Sequence, residues 1–315
     1  MINLSYNLSE KISENLLKIN ELRTKILLTP IKPSNEIKLR WESNINKAYW
    51  GLTLAGNKLS KNQMLKLMSN PLPKKLSDSE KEVISYTNTL RVIYEDWSAS
   101  KTAFNTKTVL DMYDLSCKPV FGSSSSYYKS KEEEVAQILK FIESGKDHPV
   151  IKSGLLQIEI IKLSPFENGT GRVARLLSHQ MLSRYGYDVR GLLTLEEYYR
   201  SDLVSLREAT KSIEKYKNAT KWLEYFTEGV KKELEKLLRT VESLEHSQTK
   251  SNWKLSDRQK KIIELFENPE IKITNKLIQK EFRISQITAS RDLSKMVNLG
   301  ILLPHGKGRS VFYTK

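Results

Sequence analysis

The sequence predicts a mainly α-helical protein in two parts, a large helical domain followed by a small basic module. Three observations carry that expectation. Apolar residues recur at three- and four-residue intervals through most of the chain, as in Ile12, Leu16, Ile19, Leu22 and Ile26. A polar stretch over 246–254 separates two compositions, and the 315 residues are enough for about two domains with real cores. Residues 251–315 hold 13 basic and 6 acidic side chains, a net charge of +7 in about a fifth of the chain.

Composition narrows the class. Hydrophobic residues at 39%, charged residues at 28% and a mean hydropathy of −0.48 describe a soluble globular chain. No run approaches the roughly 18 apolar residues of a membrane span, and the first 20 residues lack the pattern of a signal peptide, so a cytoplasmic protein without a membrane partner is expected. Cys117 is the only cysteine, which excludes an intrachain disulfide and a zinc ribbon. His148, His179, His246 and His305 show no ligand spacing, so no metal cage is expected. The formal charge of +15 favours contact with a polyanion or with phosphate groups.

From Leu4 to about Leu115 the period is helical, punctuated by Pro30, Pro33, Pro71 and Pro73. Residues 118–130, with Pro119, Gly122 and four serines between apolar flanks, predict a β-hairpin with a mobile tip. Helices follow over about 131–144 and 148–162. A glycine turn at 168–171 then opens a helix carrying Val173, Leu176, Leu177, Gln180 and Met181. After Thr194 the pattern stays helical to about Ser247 and ends in one long amphipathic helix. The expected boundaries are a helical domain over 1–245, a linker over 246–254 and a basic module over 255–315.

That module shows three helical patterns, then two short apolar strands, 301–303 and 311–313, around a turn at Gly306–Gly308. This is the layout of a winged helix-turn-helix, and the segment from Thr288 to Tyr313 resembles the recognition helix and wing of many bacterial transcription factors. In the usual docking of that fold the start of the third helix faces the major groove. Ser285, Gln286, Thr288, Ser290 and Arg291 are then the candidates for contact with duplex DNA, with Lys307 and Arg309 on the wing reaching the backbone or minor groove. Ile287, Leu293, Met296, Val297 and Leu299 read as core. The same fold also serves as a protein-docking module.

The stretch 163–177, LSPFENGTGRVARLL, suggests chemistry. Two glycines around Thr170, just before a helix, let backbone N–H groups converge at the positive end of the helix dipole, and Arg172 and Arg175 follow one turn apart. Phosphate oxygens suit such a site, since each guanidinium offers bidentate geometry. The pattern equally fits a tight interhelical turn whose arginines are salt-bridge partners.

This stretch resembles the signature of the Fic (Fido) family, His-x-Phe-x-Asp/Glu-Gly-Asn-Gly-Arg-x-x-Arg, with Phe166, Gly169, Gly171, Arg172 and Arg175 matching. The resemblance continues outside the loop. HPVIKSGLLQIEIIKLSPF is similar to the helix leading into the family's active-site loop, the serine segment stands where the family places its target-positioning flap, and ATKWLEYFTEGV resembles a later tryptophan-containing helix. The resemblance covers roughly residues 1–245. It implies a Fic helical core with a small β-hairpin flap and transfer of AMP from ATP to a protein hydroxyl, with Mg2+ bridging the phosphates. Homodimers through the helical core are common among relatives.

The departures fall on the chemistry. The family's general base is the motif histidine, and here that position is Ser164, whose hydroxyl has no pKa near neutrality. The acidic metal position is Asn168, a poor ligand for a hard divalent cation; Glu167 is one residue out of phase. Thr170 replaces the asparagine between the glycines, and Gln157 stands where many relatives carry another histidine. RWESNINKAYWGLTLAGNKLS resembles the helix with the family's inhibitory motif, Ser/Thr-x-x-x-Glu-Gly/Asn. Its positions here are Gly51 and Ala55, followed by Gly56 and Asn57, so Arg175 has lost the partner that the resemblance implies. Asn168, Gly169, Thr170, Gly171, Arg172 and Arg175 remain as a phosphate site with weakened use of ATP and Mg2+. The leading expectation is a regulator that couples this site to DNA binding. The alternatives are an atypical adenylyltransferase acting on a target protein and an interaction scaffold.

Overall fold

Residues 149–163, PVIKSGLLQIEIIKL, are apolar on nearly every side, which marks a helix surrounded by others rather than one lying on a surface. In the computed structural model this helix is buried from Val150 to Ile160, and the larger unit is built round it. The structure describes residues 5–314 apart from 70–72, 74, 98–102, 245–254, 268–272, 300 and 307–310.

The chain divides into two compact units, one of residues 1–61 and 76–245, the other of residues 62–75 and 246–315. The first contains α1 (Glu10–Leu28), α2 (Pro33–Thr53), α4 (Asp78–Trp97), α5 (Thr106–Ser116), α6 (Lys118–Phe121), α7 (Ser125–Lys129), α8 (Glu132–Ser144), α9 (Pro149–Leu163), α10 (Thr170–Arg184), α11 (Leu195–Ser201), α12 (Leu203–Tyr216) and α13 (Thr220–Ser243). Local signals start several of them. Ser9 caps α1 by accepting from the Ile12 N–H, and Asn105 and Thr108 close a reciprocal capping box on α5. Pro149 opens α9, where its missing N–H costs nothing.

Close approach holds α9 to its neighbours. A Cβ on Gly154 would lie 3.0 Å from the side chains of both Leu223 and Phe226, and the Trp222 indole N–H of α13 donates to the Gly154 carbonyl at 2.8 Å. On another face Ser153 Oγ donates to the Ser178 carbonyl of α10 at 2.9 Å. The Tyr199 hydroxyl donates to Gln157 Oε1 at 3.2 Å, so Gln157 is a satisfied core amide facing α11. α9 and α10 thereby become a rigid pair, and the loop between them is held at both ends.

The expected β-hairpin flap is not formed. Residues 118–121 and 125–129 make two short helical turns, α6 and α7, on either side of Gly122 at φ +78°. Burial of one ring explains the difference. Tyr128 is 2% exposed, stacks on Phe166 at 5.2 Å and donates its hydroxyl to the Thr106 carbonyl at 2.6 Å. A helical turn, closed by the Tyr128 N–H on the Ser124 carbonyl, points that ring inward, and this tertiary packing overrides the local strand signal.

The second unit contains α3 (Lys61–Ser69), α14 (Asp257–Glu264), β1 (Ile273–Thr274), α15 (Asn275–Phe282), α16 (Gln286–Asn298), β2 (Leu303–His305) and β3 (Phe312–Thr314). The strands pair antiparallel in the order β1-β3-β2, with Ile273 opposite Tyr313 and Pro304 opposite the same residue on the other side. The strands fall one or two residues later than the sequence suggests, because Ile301 and Leu302, 4% and 0% exposed, are spent on the core beneath α16. β1 escaped the sequence reading: it is two residues long, and Thr274 also caps α15.

Ile287 is not core. It is 65% exposed, because the buried stripe of α16 runs through Ala289, Leu293 and Met296, and a residue two positions before Ala289 lies roughly 200° round the helix. Leu293, Met296 and Leu299 are buried as expected, and Val297 is half-buried. Lys307 and Arg309 lie outside the described residues.

Candidate functional site

α9 ends at Ser164, which takes the left-handed conformation (φ 48°, ψ 62°) that a helix end uses to turn the chain. The turn throws Pro165 and Phe166 inward and leaves Ser164, Glu167 and Asn168 exposed. Phe166 lies between Tyr113 of α5, at 4.3 Å, and Tyr128 of α7, at 5.2 Å, in a three-ring stack that fixes the loop to the core. Gly169 caps α10 at φ +85°, and a Cβ there would come within 2.6 Å of the Cys117 sulfur. Glycine is therefore required twice over, by the torsion and by the space.

The Gly169 carbonyl accepts from the Arg172 and Val173 N–H groups at 2.9 and 3.1 Å. That leaves the Thr170 and Gly171 N–H groups without a protein acceptor among the described residues, at the positive end of a 15-residue helix. The Thr170 hydroxyl turns back to the Phe166 carbonyl at 3.1 Å, which tightens the loop. So far the geometry is that of an anion site.

The arginines qualify it, because both already hold protein partners. Arg172 forms an ion pair with Glu82 of α4, lies over the Phe121 ring at 5.0 Å and reaches the Ala55 carbonyl at 3.4 Å. Glu82 is 5% exposed and also accepts from Asn57 Nδ2 at 2.6 Å. Asn57 in turn is pinned by the Ser79 carbonyl at 3.1 Å and the Leu59 N–H at 3.0 Å. Arg175 donates to the Gly51 carbonyl at 2.9 Å. In place of a glutamate at position 55, which here is Ala55, Arg175 holds a main-chain contact with Gly51, the other position of that motif.

A buried polar layer lies behind Arg175. A Cβ on Gly51 would meet the Tyr86 hydroxyl at 2.9 Å and Glu196 Cγ at 3.4 Å, so α2, α4 and α11 converge there and need a glycine. His179, one turn after Arg175 on α10, contacts Glu196 at 2.7 Å. Burial pushes the Glu196 carboxyl up, but the charge and hydrogen bond of His179 outweigh it and hold it below its ordinary value. Burial raises the Tyr86 hydroxyl, keeping it protonated, and raises the Cys117 thiol to about 11, so that the sulfur beside Gly169 is an inert thiol.

The structure therefore brings Ser164, Asn168, Gly169, Thr170, Gly171, Arg172 and Arg175 to one loop and helix start, and sets Gly51 and Ala55 against the arginines and Asn57 against Glu82. Gly56, at φ +91°, completes the turn after α2, and a Cβ there would meet nothing within 4 Å, so the torsion alone favours glycine. The donor set fits a divalent cation poorly. Asn168 offers one neutral oxygen, the carboxylate nearest the arginines is committed to Arg172, and no cluster of three His, Cys, Asp or Glu suited to a metal occurs among the described residues. Glu82, Phe121, Tyr86 and the His179–Glu196 pair escaped the sequence reading. Glu82 lies 90 residues before its arginine, and helical periodicity carries no signal of such a contact.

No protein-family model and no curated protein matches the sequence. Solved structures do. The chain is similar to a Fic family protein from Desulfovibrio desulfuricans G20, with a TM-score of 0.66 at 15% identity over 99% of this chain and 97% of that one. It is also similar to a fragment of Fic-1 from C. elegans (TM-score 0.56, 16% identity, 73% of this chain and 72% of that one) and to a Fic domain containing signaling protein from Bacteroides thetaiotaomicron VPI-5482 (0.54, 18%, 74% and 98%). The fold is that of Fic family proteins.

Proposed function

We propose that this chain is a regulator in which a Fic-fold core without AMP-transfer chemistry offers a latent phosphate site, coupled to a winged-helix module that binds duplex DNA. One observation carries the reading: the positions where proton and metal chemistry belong hold an exposed serine and an exposed amide, while the two free N–H groups and both arginines of an anion site remain. The site is latent because a phosphate must displace Glu82 from Arg172. A polyphosphate offers more negative charge to the guanidinium than one carboxylate, so the exchange is chemically reasonable at millimolar nucleotide.

At the position where the base belongs the loop carries Ser164 in place of an imidazole. Ser164 would have to take a proton from a target hydroxyl, and two alcohols of similar pKa give that transfer no driving force. The loss of the flap hairpin argues the same way, since helical turns at 118–129 present no strand edge on which a target peptide could add.

The test is incubation of the full chain with labelled ATP, a divalent cation and a protein extract, alongside calorimetry with a nucleotide panel. The expected result is no label transfer and weak nucleotide binding that Arg172→Ala abolishes. Robust transfer that is lost in Arg172→Ala would establish the atypical adenylyltransferase instead. Absence of both nucleotide and duplex DNA binding would leave an interaction scaffold.

A further inference from the structure

Along α16 the exposed residues are Gln286, Ile287, Ser290, Arg291 and Ser294, a stripe at helical spacing on the face opposite Ala289, Leu293 and Met296. Four of the five are polar or cationic. Ile287 is the exception, and it is the one large apolar side chain left exposed among the described residues of the second unit. The helix has a single carboxylate, Asp292, and it is buried and neutralised, by Arg258 at 2.5 Å and Gln259 at 2.8 Å. The exposed face therefore carries positive charge with no acidic group, which suits a polyanion and repels nothing in it.

The neighbours on the stripe are held in place. Ser285 caps the helix by accepting from the Thr288 N–H at 3.2 Å, with the Thr288 hydroxyl 2.9 Å away, so these two side chains serve the helix start. Asn275 of α15 donates to Ser290 Oγ at 2.8 Å and fixes it. Ile287 is β-branched and stiff at χ1 in a helix, so its methyl groups have a defined place beside Gln286 and Arg291.

We infer that Ile287 is a specificity-determining residue that packs against the C5-methyl group of a thymine in the major groove. The inference rests on the DNA-binding reading of this module. Thymine is the base whose major-groove edge presents a methyl group, and a rigid aliphatic side chain at the start of a groove-facing helix is the complementary surface. Leaving an isoleucine in water costs apolar hydration, and a thymine methyl recovers it where a phosphate or a polar base edge cannot.

The experiment uses the full chain. Duplexes that it prefers are selected from a random library at low salt, and each thymine in the preferred site is then replaced by uracil, which removes the methyl group and leaves the hydrogen-bonding edge unchanged. At one thymine per half-site, uracil should lower affinity about fourfold, the worth of one buried methyl. Ile287→Ala should lose affinity for the thymine duplex and become indifferent to the replacement, whereas Ile287→Val should keep most of the discrimination. The salt dependence should be the same in all three proteins, because no phosphate contact changes. Because Ile287 is exposed, its variants should melt like the parent, and this is checked. Duplex binding in which the Ile287→Ala variant still distinguishes thymine from uracil would overturn the inference and spare the DNA reading. Absence of duplex binding at low salt would overturn both.

Discussion

The arginines at the start of α10 and the one on the first turns of α16 differ in what has been done with the charge. At α10, Arg172 is paired with a buried carboxylate and Arg175 with a main-chain carbonyl. At α16, Arg291 is exposed and the only acid of its helix is tied up by Arg258 and Gln259. One cationic site is closed by its own fold and the other is open to solvent. A formal charge of +15 does not separate them; position does.

The sharpest way to break the comparison is to restore chemistry to the closed site. Ser164→His with Asn168→Asp and Glu82→Gln supplies a base, an acidic ligand and a free Arg172 in one chain. Label transfer from ATP to protein should then rise from background by two orders of magnitude or more, on the order of what a positioned general base contributes. If the triple variant folds, binds nucleotide and still transfers nothing, the missing flap hairpin is the limiting loss.

Next in size is the effect of Glu82 alone. If it closes the site, Glu82→Gln should raise nucleotide affinity about tenfold in calorimetry, since a phosphate no longer competes with a carboxylate for the guanidinium. The amide keeps a carbonyl oxygen for Asn57, so the fold around 51–57 should survive, as circular dichroism would show. Unchanged affinity in Glu82→Gln would mean that phosphate binds without Arg172 or does not bind there.

That pairing also marks how far the sequence could be read. The helices and the loop at 164–175 were legible, because periodicity and the glycines are local signals. Three features were not. Tyr128 makes the flap helical by stacking on a ring 38 positions later in the chain, Glu82 reaches an arginine 90 positions away, and Ile287 reads as core until the phase of α16 is known. Each is decided by tertiary neighbours that share no short segment. The glycine at 51 shows the same thing from the other side: it reads as a departure from a motif, yet the Tyr86 hydroxyl and Glu196 leave no room for a side chain there.

The open site predicts a smaller effect. Arg291→Ala should lower duplex affinity severalfold. If the guanidinium rests on a phosphate, the salt slope should fall by about 0.9 and all sequences should weaken alike; if it reads a base, the slope should hold and discrimination should relax. A variant that binds duplex DNA as the parent does would show that exposure of this cation is not what makes the module bind.

The smallest effect tests whether the first unit compensates all of its buried charge as well as it does at Arg172. A cavity of about 110 Å³ is lined by Glu42, Ser43, Asn46, Glu197, Glu233 and Lys236, three carboxylates beside one ammonium. Lys236 sits 2.7 Å from Glu197 but 3.9 Å from Glu233, and burial pushes the Glu233 carboxyl up to about 7. Between its ordinary value near 4.5 and about 7, the folded state then binds more protons than the unfolded chain, so this group withdraws stability as pH rises through that window. His148, lowered by burial, acts in the opposite direction below its ordinary value, so the raw pH profile mixes the two. A comparison with Glu233→Gln separates them, because the amide is neutral throughout. At about pH 4 the two proteins should melt nearly together, and by about pH 8 the parent should have fallen behind by several degrees. A gap that does not change with pH would mean that Lys236 satisfies both carboxylates, and that this unit pairs its charges as completely here as at Arg172.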